Sequence, residues 1–325
     1  MHPPPRIDAL QYAQWSEAVF REMREGGLDA VHATLAYHGN FREAVGLLTG
    51  WNRLFARHGD LVVRARTVED IRRARGDGRT AILLGLQNPA PIEDDLGLVE
   101  VWRTLGLSFM QLSYNNQSLL ASGHAEEEDR GITRMGREAI AEMTRVGLVI
   151  DMSHAGARST LEAIERAPRP VAVTHANPRS WHDVSRNVPD AVIDALAESG
   201  GMLGFSLYPH HMAGGSDCTL EAFCAMVART AERVGTGALG IGSDLCQGRP
   251  DSAVSWMREG RWSRRAGEDT GAAFPPQPAW FRDNRDFPRL AEGLAAAGFD
   301  GEEVGAILGG NWLAFLERSL GERAA

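Results

Sequence analysis

Short apolar segments rich in β-branched residues recur along the chain, and most of them are followed by an amphipathic stretch long enough for a helix. A buried parallel strand followed by a helix that covers it produces this alternation. We predict a parallel strand in each of eight segments: Arg6–Tyr12, Ala30–Tyr37, Thr80–Gln87, Ser108–Tyr114, Leu148–His154, Val171–His175, Met202–Tyr208 and Leu239–Asp244.

The stretches between these strands carry helix signals. Helices are predicted over Ser16–Arg24, Thr133–Val146 and Val192–Glu198, and a glycine follows each within two residues, as is usual where a helix stops. Eight strand-and-helix units without a glycine-rich phosphate loop favour an α/β fold of the closed (β/α)8 TIM-barrel type over an open doubly wound sheet. Because such barrels form one unit, we predict a single domain over residues 1–325.

Residues 247–285 break the alternation. They show no clean period, yet they contain Trp256, Trp262, Trp280 and the run Pro275–Pro278. A long loop is uncommon unless it is functional, and after the eighth strand of a barrel it would lie over the face where sites are built. We predict a lid or a homodimer contact, with a disordered insertion as the alternative. Closing helices are expected within residues 287–320, over Phe287–Ala297, Glu302–Leu308 and Trp312–Leu320.

Charge and composition exclude several classes of protein. The 325 residues include 34 Lys and Arg against 43 Asp and Glu, a net charge of −9, and no basic cluster, so nucleic acid is not an expected partner. The three cysteines form no CxxC pair, which argues against a disulfide framework. We find neither the apolar core of a signal peptide nor a run long enough to span a membrane. We therefore expect a soluble, cytoplasmic protein.

Polar side chains end several of the predicted strands. In a barrel these ends meet at one mouth. His154 and His175 follow neighbouring strands in the same register, which would let them share a divalent metal ion. The alternative is that each imidazole only hydrogen-bonds the backbone at its strand end. The residues at these ends are Gln87, Tyr114, His154, His175 and Asp244.

Three charged residues accompany the two histidines. Asp244 follows a strand that passes through glycines and is a candidate metal ligand or general base, with a helix N-cap as the alternative. Asp151 either orients His154 or caps the next turn. Arg186, in the loop after the sixth predicted strand, is placed to bind a carboxylate, a surface salt bridge being the alternative. Further candidate ligands, each explained more simply as a surface residue, are His38, His210 and His211.

Five motifs occur in a characteristic order and spacing: Gly147–His154, Val171–His175, Arg186–Asp190, Gly240–Asp244 and Gly310–Trp312. Together they resemble the membrane (renal) dipeptidases, zinc-dependent members of the amidohydrolase superfamily, and the likeness extends over nearly the whole chain. The resemblance implies a (β/α)8 barrel in which two zinc ions share a hydroxide that attacks the scissile carbonyl of a dipeptide. Carried over, the two histidines would bind metal, Asp244 would move the proton and also serve as a ligand, and Arg186 would hold the terminal carboxylate.

The chain departs from this family pattern at half of the expected ligands. Where the family has Asp-Gly-His-x-Asp on the first strand, Leu10 and Tyr12 occupy the two ligand positions. Gln87 replaces the bridging glutamate, and Tyr114 replaces a histidine. Of the usual three carboxylates only Asp244 remains, and neutral side chains would leave two buried dications uncompensated.

We therefore predict a metal-dependent hydrolase with a reduced, mononuclear site. One zinc ion, or another divalent metal, would be held by His154, His175 and Asp244, with Asp244 as general base. The substrate would be a dipeptide, an N-acyl amino acid or a similar small amide with a free carboxylate. Two alternatives stay open: a non-catalytic small-molecule-binding protein of the same fold, and another amidohydrolase-type reaction such as lactone hydrolysis or decarboxylation. The predicted substrate-binding residues are Arg186, Tyr114 and Gln87.

Overall fold

The strands form a closed parallel barrel. The computed structural model describes residues 4–260 and 272–321. The strand order is β2-β1-β9-β8-β7-β6-β5-β4-β3, and β2 also pairs with β4, which closes eight strands into a ring and leaves β3 outside it against β4. The predicted (β/α)8 barrel is confirmed, and β3 is an addition to it. The strands are β1 (Ile7–Gln11), β2 (Ala30–Ala36), β3 (Val62–Arg64), β4 (Thr80–Leu86), β5 (Leu107–Gln111), β6 (Val149–Asp151), β7 (Ala172–Val173), β8 (Met202–Phe205) and β9 (Leu239–Ile241).

Helices surround the barrel and close its lower end. In the part of the chain that the structure describes, no helix has both the length and the apolar character needed to cross a bilayer. The helices between strands are α1 (Glu17–Glu25), α2 (Phe41–Arg57), α3 (Val68–Gly76), α4 (Gly97–Thr104), α5 (Arg134–Val146), α6 (Ala157–Arg166), α7 (Asp190–Glu198) and α8 (Leu220–Val234). After the last strand come α9 (Val254–Glu259), α10 (Phe287–Ala296), α11 (Gly301–Gly305) and α12 (Asn311–Ser319), with a π-helical turn over Ala306–Gly310.

Side-chain caps explain why the helix starts lie close to the predicted ones. Ser16 is the N-cap of α1 and accepts a hydrogen bond from the N–H of Val19, and Thr133 caps α5 in the same way. These bonds satisfy N–H groups that have no partner inside the helix. After α5, Gly147 has a left-handed φ of 75°, which a residue with a Cβ adopts only with strain.

Two strands next to the predicted site are shorter than their patterns indicate. β6 ends at Asp151 and β7 at Val173, so His154 and His175 lie in the loops just beyond the strands. The Asp151 carboxylate accepts hydrogen bonds from the backbone N–H of Ser153 at 3.0 Å and from its hydroxyl at 2.5 Å. This local turn draws the chain out of the sheet before the apolar pattern ends.

Glycines inside the barrel make room for its closing helix. Trp312 of α12 is buried, and its indole N–H donates to the carbonyl of Ile241 at 3.0 Å. A Cβ at Gly240 would lie 2.3 Å from the Trp312 indole nitrogen, and one at Gly204 would lie 1.9 Å from the carbonyl oxygen of Thr174. The close approach of strand to strand and of helix to barrel therefore excludes any side chain at these two positions.

The segment 247–285 contains more regular structure than its sequence predicts. α9 places the Trp256 ring 6.1 Å from the ring of Tyr37 and 5.5 Å from that of His38. The His38 Nε2–H donates to the carbonyl of Met257 at 3.0 Å. The described part of the segment thus lies over the carboxyl ends of the strands, as a lid would. Trp262 lies outside the described residues.

We expect Gly204→Ala to lower the free energy of unfolding by about 3 kcal/mol, because the added Cβ would collide with the Thr174 carbonyl, a backbone atom that cannot rotate away. Urea unfolding measures the change. The matched control is Gly50→Ala in α2, where a Cβ meets nothing within 4 Å and the loss of glycine should stabilise the helix by about 0.5–1 kcal/mol. Equal stability of the two variants would contradict the tight packing described here.

Candidate active site

A cavity of about 360 Å³ opens at the carboxyl ends of the strands. This is the face on which (β/α)8 barrels carry their sites. His175 lies behind His154 and is fully buried, and Leu10 and Tyr12 lie outside the cavity lining. The predicted site residues that line the cavity are Gln87, Tyr114, His154, Arg186 and Asp244.

The two histidines meet through their Nε2 atoms, which are 3.0 Å apart. The Nδ1 atom of His154 is 2.7 Å from the side-chain oxygen of Asn115, and the Nδ1 atom of His175 is 2.8 Å from the Thr174 hydroxyl. The Asn115 oxygen can only accept. The Thr174 hydroxyl gives its own proton to Asp151 at 2.6 Å, so it also accepts.

Both imidazoles therefore carry their proton on Nδ1, and both present an unprotonated Nε2 to each other. Burial, reinforced by the nearby Arg186 guanidinium, holds the pKa of His154 and of His175 well below its usual value. Neither ring takes up a further proton at neutral pH. Two lone pairs that face each other at this distance repel, and a cation that binds both relieves the repulsion.

Asp151 fixes the orientation of His175 through the hydroxyl of Thr174. Besides the two bonds from Ser153, its carboxylate accepts from the N–H and the hydroxyl of Thr174, at 3.1 and 2.6 Å, and from the amide of Gln111 at 2.8 Å. The sequence left two roles open for Asp151. The structure shows the turn cap, and it shows contact with His175 through Thr174 rather than with His154.

Arg186 is a buried cation with unused donors. Its side chain is 8% exposed, and burial lowers its pKa to about 10, so that it stays charged at neutral pH. One terminal nitrogen donates to the carbonyl of His175 at 2.8 Å. Within the described residues, its Nε and Nη1 atoms have no hydrogen-bond partner. Leaving such donors unpaired is costly, and an anion that enters the cavity would satisfy them.

Asp244 is the carboxyl group of the cavity. It adopts a left-handed φ of 55°, and its N–H donates to the carbonyl of Leu10 at 3.0 Å, which holds the end of β9 against β1. Burial raises the pKa of Asp244 to about 7, against the opposing effect of Arg186 and with a smaller increase from Asp8. A carboxyl group with this pKa both takes and gives a proton near neutral pH.

The opposite wall of the site is neutral. The Gln87 amide donates to the Thr34 hydroxyl at 2.6 Å and to the Tyr37 hydroxyl at 3.2 Å. The rings of Tyr12 and Tyr37 are 4.6 Å apart, and those of Tyr37 and Tyr114 are 5.0 Å apart. These three tyrosines form a packed cluster, which we call the tyrosine wall. It fills the side of the mouth where β1, β2 and β5 end.

The described donors offer a candidate site for one metal ion at most. A second ion would be surrounded by Leu10, by the tyrosine wall and by the Gln87 amide, which already donates to Thr34. Among residues 4–260 and 272–321, no group of three or more His, Cys, Asp or Glu side chains is arranged to hold a metal. The Nε2 atoms of His154 and His175 would supply two ligands, and these two ligands, like the third assigned to Asp244, stay predictions.

Sequence reasoning missed Asn115. Its side-chain oxygen accepts from His154 and, at 3.0 Å, from Nε2–H of His124, while its amide donates to the backbone carbonyl of Arg258 at 3.1 Å. Its φ is 59°, a left-handed conformation that asparagine tolerates better than most residues. The signal was its place directly after Tyr114, because side chains just beyond a barrel strand face the mouth.

The three further histidines have separate partners. His38 donates to the Met257 carbonyl in α9, as described above, and does not contact the two central histidines. His211 is buried in the cavity lining, where its Nδ1 pairs with the Ser206 hydroxyl at 2.8 Å. His210 also lines the cavity. None of them joins His154 and His175 in a metal-binding group of the described residues.

This fold and site define a barrel of the amidohydrolase type. The family model described as Membrane dipeptidase (Peptidase family M19) matches residues 8–255. The chain belongs to this family.

Solved structures agree with the fold. An amidohydrolase from Pseudomonas aeruginosa is 33% identical, with a TM-score of 0.92 over 98% of this chain and 97% of that one. A metallopeptidase from Rhodobacter sphaeroides, liganded with a phosphinate mimic of the dipeptide L-Ala-D-Ala, is 18% identical, with a TM-score of 0.81 over 98% of this chain and all of that one.

Curated relatives match over part of their length. Dipeptidase tcpJ from Claviceps purpurea is 25% identical over 220 residues, which cover 67% of this chain and 51% of that protein. The chain thus spans about half the length of the curated relatives it matches.

Burial of a second carboxyl group, Asp8, predicts a pH effect on stability. Burial raises the pKa of Asp8 to about 6, although the Ser243 N–H and hydroxyl donate to it at 2.7 and 2.5 Å. The folded protein keeps this proton over a range in which the unfolded chain, with an ordinary pKa of 3.8, releases it. The stability that the protonated Asp8 carboxyl contributes is therefore fully present below about pH 4 and is lost as the pH rises through about 6.

Between about pH 4 and 7 the free energy of unfolding should fall in the wild type and fall less in Asp8→Asn. We expect the two losses to differ by about 1–3 kcal/mol. Urea unfolding at a series of pH values measures both curves. Asp77→Asn, at an exposed carboxylate paired with Arg79, is the control and should parallel the wild type. If Asp8→Asn also parallels it, Asp8 does not titrate as described.

Proposed function

We propose that the protein hydrolyses a small amide that carries a free carboxylate, such as a dipeptide or an N-acyl amino acid. The observation that carries the proposal is the buried guanidinium of Arg186, whose Nε and Nη1 lack partners among the described residues. It lies in the same cavity as Asp244 and His154. A carboxylate bound there would satisfy the unpaired donors and place the neighbouring amide next to an acid–base group.

The cavity limits what this substrate is. A space of about 360 Å³ accepts a molecule the size of a dipeptide. Tyr37 and Tyr114 give it one aromatic side, and Arg186 gives it a cationic one. The Gln87 amide is engaged with Thr34 and Tyr37, which keeps it fixed as a neutral contact for the substrate.

The protein's own groups perform the proton transfers. The pKa of Asp244, about 7, suits it to accept a proton from the attacking water and to return it to the leaving amine. Asn115 and Thr174 hold the two imidazoles with Nε2 unprotonated. His154 and His175 would hold one divalent ion, zinc first among the candidates, which would act as a Lewis acid toward water and the scissile carbonyl.

A specific observation also favours a second function, that of a small-molecule-binding protein without turnover. By the resemblance described above, Leu10, Tyr12, Gln87 and Tyr114 occupy positions where the family has metal ligands. The described residues assemble no three-ligand group. Arg186 would bind a carboxylate in either case. The two functions differ in metal content and in turnover. A homodimer and a cytoplasmic location stay predictions from the sequence.

Metal content tests the ion site directly. We expect about one zinc or manganese ion per chain in protein purified without added metal or chelator, because two neutral imidazole nitrogens with one further ligand make an ordinary site for one ion. Mass spectrometry of the metals measures it. His154→Ala should bring the content near zero, whereas His58→Ala, which changes a histidine at the end of α2 that does not line the cavity, should leave it unchanged.

Other metal contents have distinct meanings. About two ions per chain would show that ligands outside the predicted set rebuild the second site. No ion in the wild type, and none bound when zinc is added, would overturn the metal-dependent hydrolase and favour the binding protein.

Arg186→Gln tests the carboxylate contact. We expect kcat/KM for a dipeptide substrate to fall at least about 30-fold, mainly through KM, because a buried charge-assisted contact is lost. The C-terminal amide of the same dipeptide is the matched control: it should be a poor substrate of the wild type and should lose little further in the variant. An equal loss for both compounds would show that Arg186 serves the fold and not the carboxylate. Tight binding of the dipeptide without turnover would favour the second function.

A further inference from the structure

A second pocket, of about 780 Å³, opens at the opposite end of the barrel. Arg6 precedes β1, Asp29 precedes β2, and Arg24 lies in the last turn of α1, which leads into β2. These positions belong to the amino ends of the strands, whereas the cavity described above lies at their carboxyl ends. We call this space the arginine pocket. Its charged lining residues are Arg6, Arg24, Arg72, Arg75 and Asp29.

Positive charge is in excess in the arginine pocket, although the chain as a whole carries a net charge of −9. Arg72 lies at the rim, where it pairs with Glu69 at 3.9 Å and with Glu317. Asp29 is the one carboxylate among the described residues of the lining. It accepts from the backbone N–H of Arg6 at 2.9 Å and lies 3.5 Å from Nε of Arg75.

Arg6 and Arg24 contact backbone carbonyls instead of carboxylates. Nη1 of Arg6 donates to the Gly26 carbonyl at 3.0 Å, and Nη1 of Arg24 donates to the Leu28 carbonyl at 3.0 Å. In the part of the chain that the structure describes, neither guanidinium forms an ion pair with a carboxylate. A guanidinium has five N–H groups, so each retains donors after its single carbonyl contact.

The backbone is shaped around one of these guanidinium groups. Gly27 has a left-handed φ of 71°, and a Cβ there would lie 2.7 Å from Nη1 of Arg6. The absence of a side chain lets the Arg6 guanidinium lie across the turn that joins α1 to β2. Arg6, bonded to this turn through the Gly26 carbonyl, lines the pocket.

We propose that the arginine pocket binds a small organic phosphate. Two guanidinium groups without carboxylate partners, brought together from separate elements, match the charge and the several oxygens of a phosphate group. The remainder of the lining is largely apolar, and it accommodates the organic part of a phosphate monoester better than a second ionic group. These apolar residues are Pro4, Pro5, Ala291, Val304 and Leu308.

Isothermal titration with phenyl phosphate, at constant ionic strength, tests the proposal, and inorganic phosphate is the comparison probe. We expect saturable binding of phenyl phosphate with one site per chain, and at least about tenfold weaker binding of inorganic phosphate, which lacks the apolar contact. Equal affinity for the two probes would overturn the assignment of an organic ligand. The absence of saturable binding at up to about 10 mM of either probe would show that these arginines only stabilise the backbone turns.

Two pairs of variants locate the site. Gly76→Glu adds a carboxylate at the pocket rim, where a Cβ meets nothing within 4 Å, and Gly50→Glu adds the same charge at an equally open position of α2. Arg24→Gln removes a pocket cation, and Arg21→Gln removes one from the exposed face of the same helix. We expect Gly76→Glu and Arg24→Gln to weaken phenyl phosphate binding at least about tenfold, and their controls to leave it unchanged.

Gly76→Glu alters no side chain of the pocket, so its result holds even if Arg24→Gln destabilises the fold. Wild-type affinity in Gly76→Glu would place any bound phosphate elsewhere and overturn the proposal. Because the readout is binding and not turnover, the outcome is independent of the hydrolase function proposed above.

Discussion

The site depends on one buried carboxylate that is completely surrounded by donors. Asp151 accepts from the backbone and hydroxyl of Ser153, from the backbone and hydroxyl of Thr174, and from Gln111, so it joins the ends of β5, β6 and β7 in one polar layer. An unpaired carboxylate at this depth would be prohibitively costly, and five donors remove that cost. The same bonds commit the Thr174 hydroxyl as an acceptor for His175. Fold stability and the protonation state of a candidate ligand therefore have a common origin.

Charge balance explains why the rest of the mouth is neutral. Arg186 is buried within the reach of both histidines and of Asp244, and it lowers the pKa of all three. The one carboxyl group of the cavity that faces it, Asp244, has a pKa near neutrality despite this cation, because burial acts more strongly. Tyrosines and Gln87 add no charge to this arrangement. With the single divalent ion proposed above, one guanidinium and one ionised carboxyl group would leave room for a substrate carboxylate. A second ion would require further carboxylates, and among the described lining residues of the cavity Asp244 is the one that carries a carboxyl group.

The barrel and the meeting of His154, Arg186 and Asp244 at one mouth could be predicted because both follow from periodicity: apolar runs mark the strands, and whatever follows a parallel strand lies at one end. β3 was missed, since its three residues are too few to show a period and only two of them are apolar. α9 was missed because six residues with a buried Met257 and a half-buried Trp256 resemble a loop as much as a helix. The role of Asn115 depends on distances between segments far apart in the chain, which no local pattern encodes.

Asn115 also links the covering segment to the chemistry. Its amide hydrogen bonds the Arg258 carbonyl at the end of α9, and its oxygen fixes the Nδ1 proton of His154. The backbone strain at φ 59° is maintained by these two contacts together with the one to His124. If α9 moved away, the amide would lose a partner and could rotate, and a rotated amide would offer N–H instead of oxygen to His154. The proton of His154 would then no longer be held on Nδ1, so the contact between Asn115 and α9 helps to keep the Nε2 atom of His154 unprotonated.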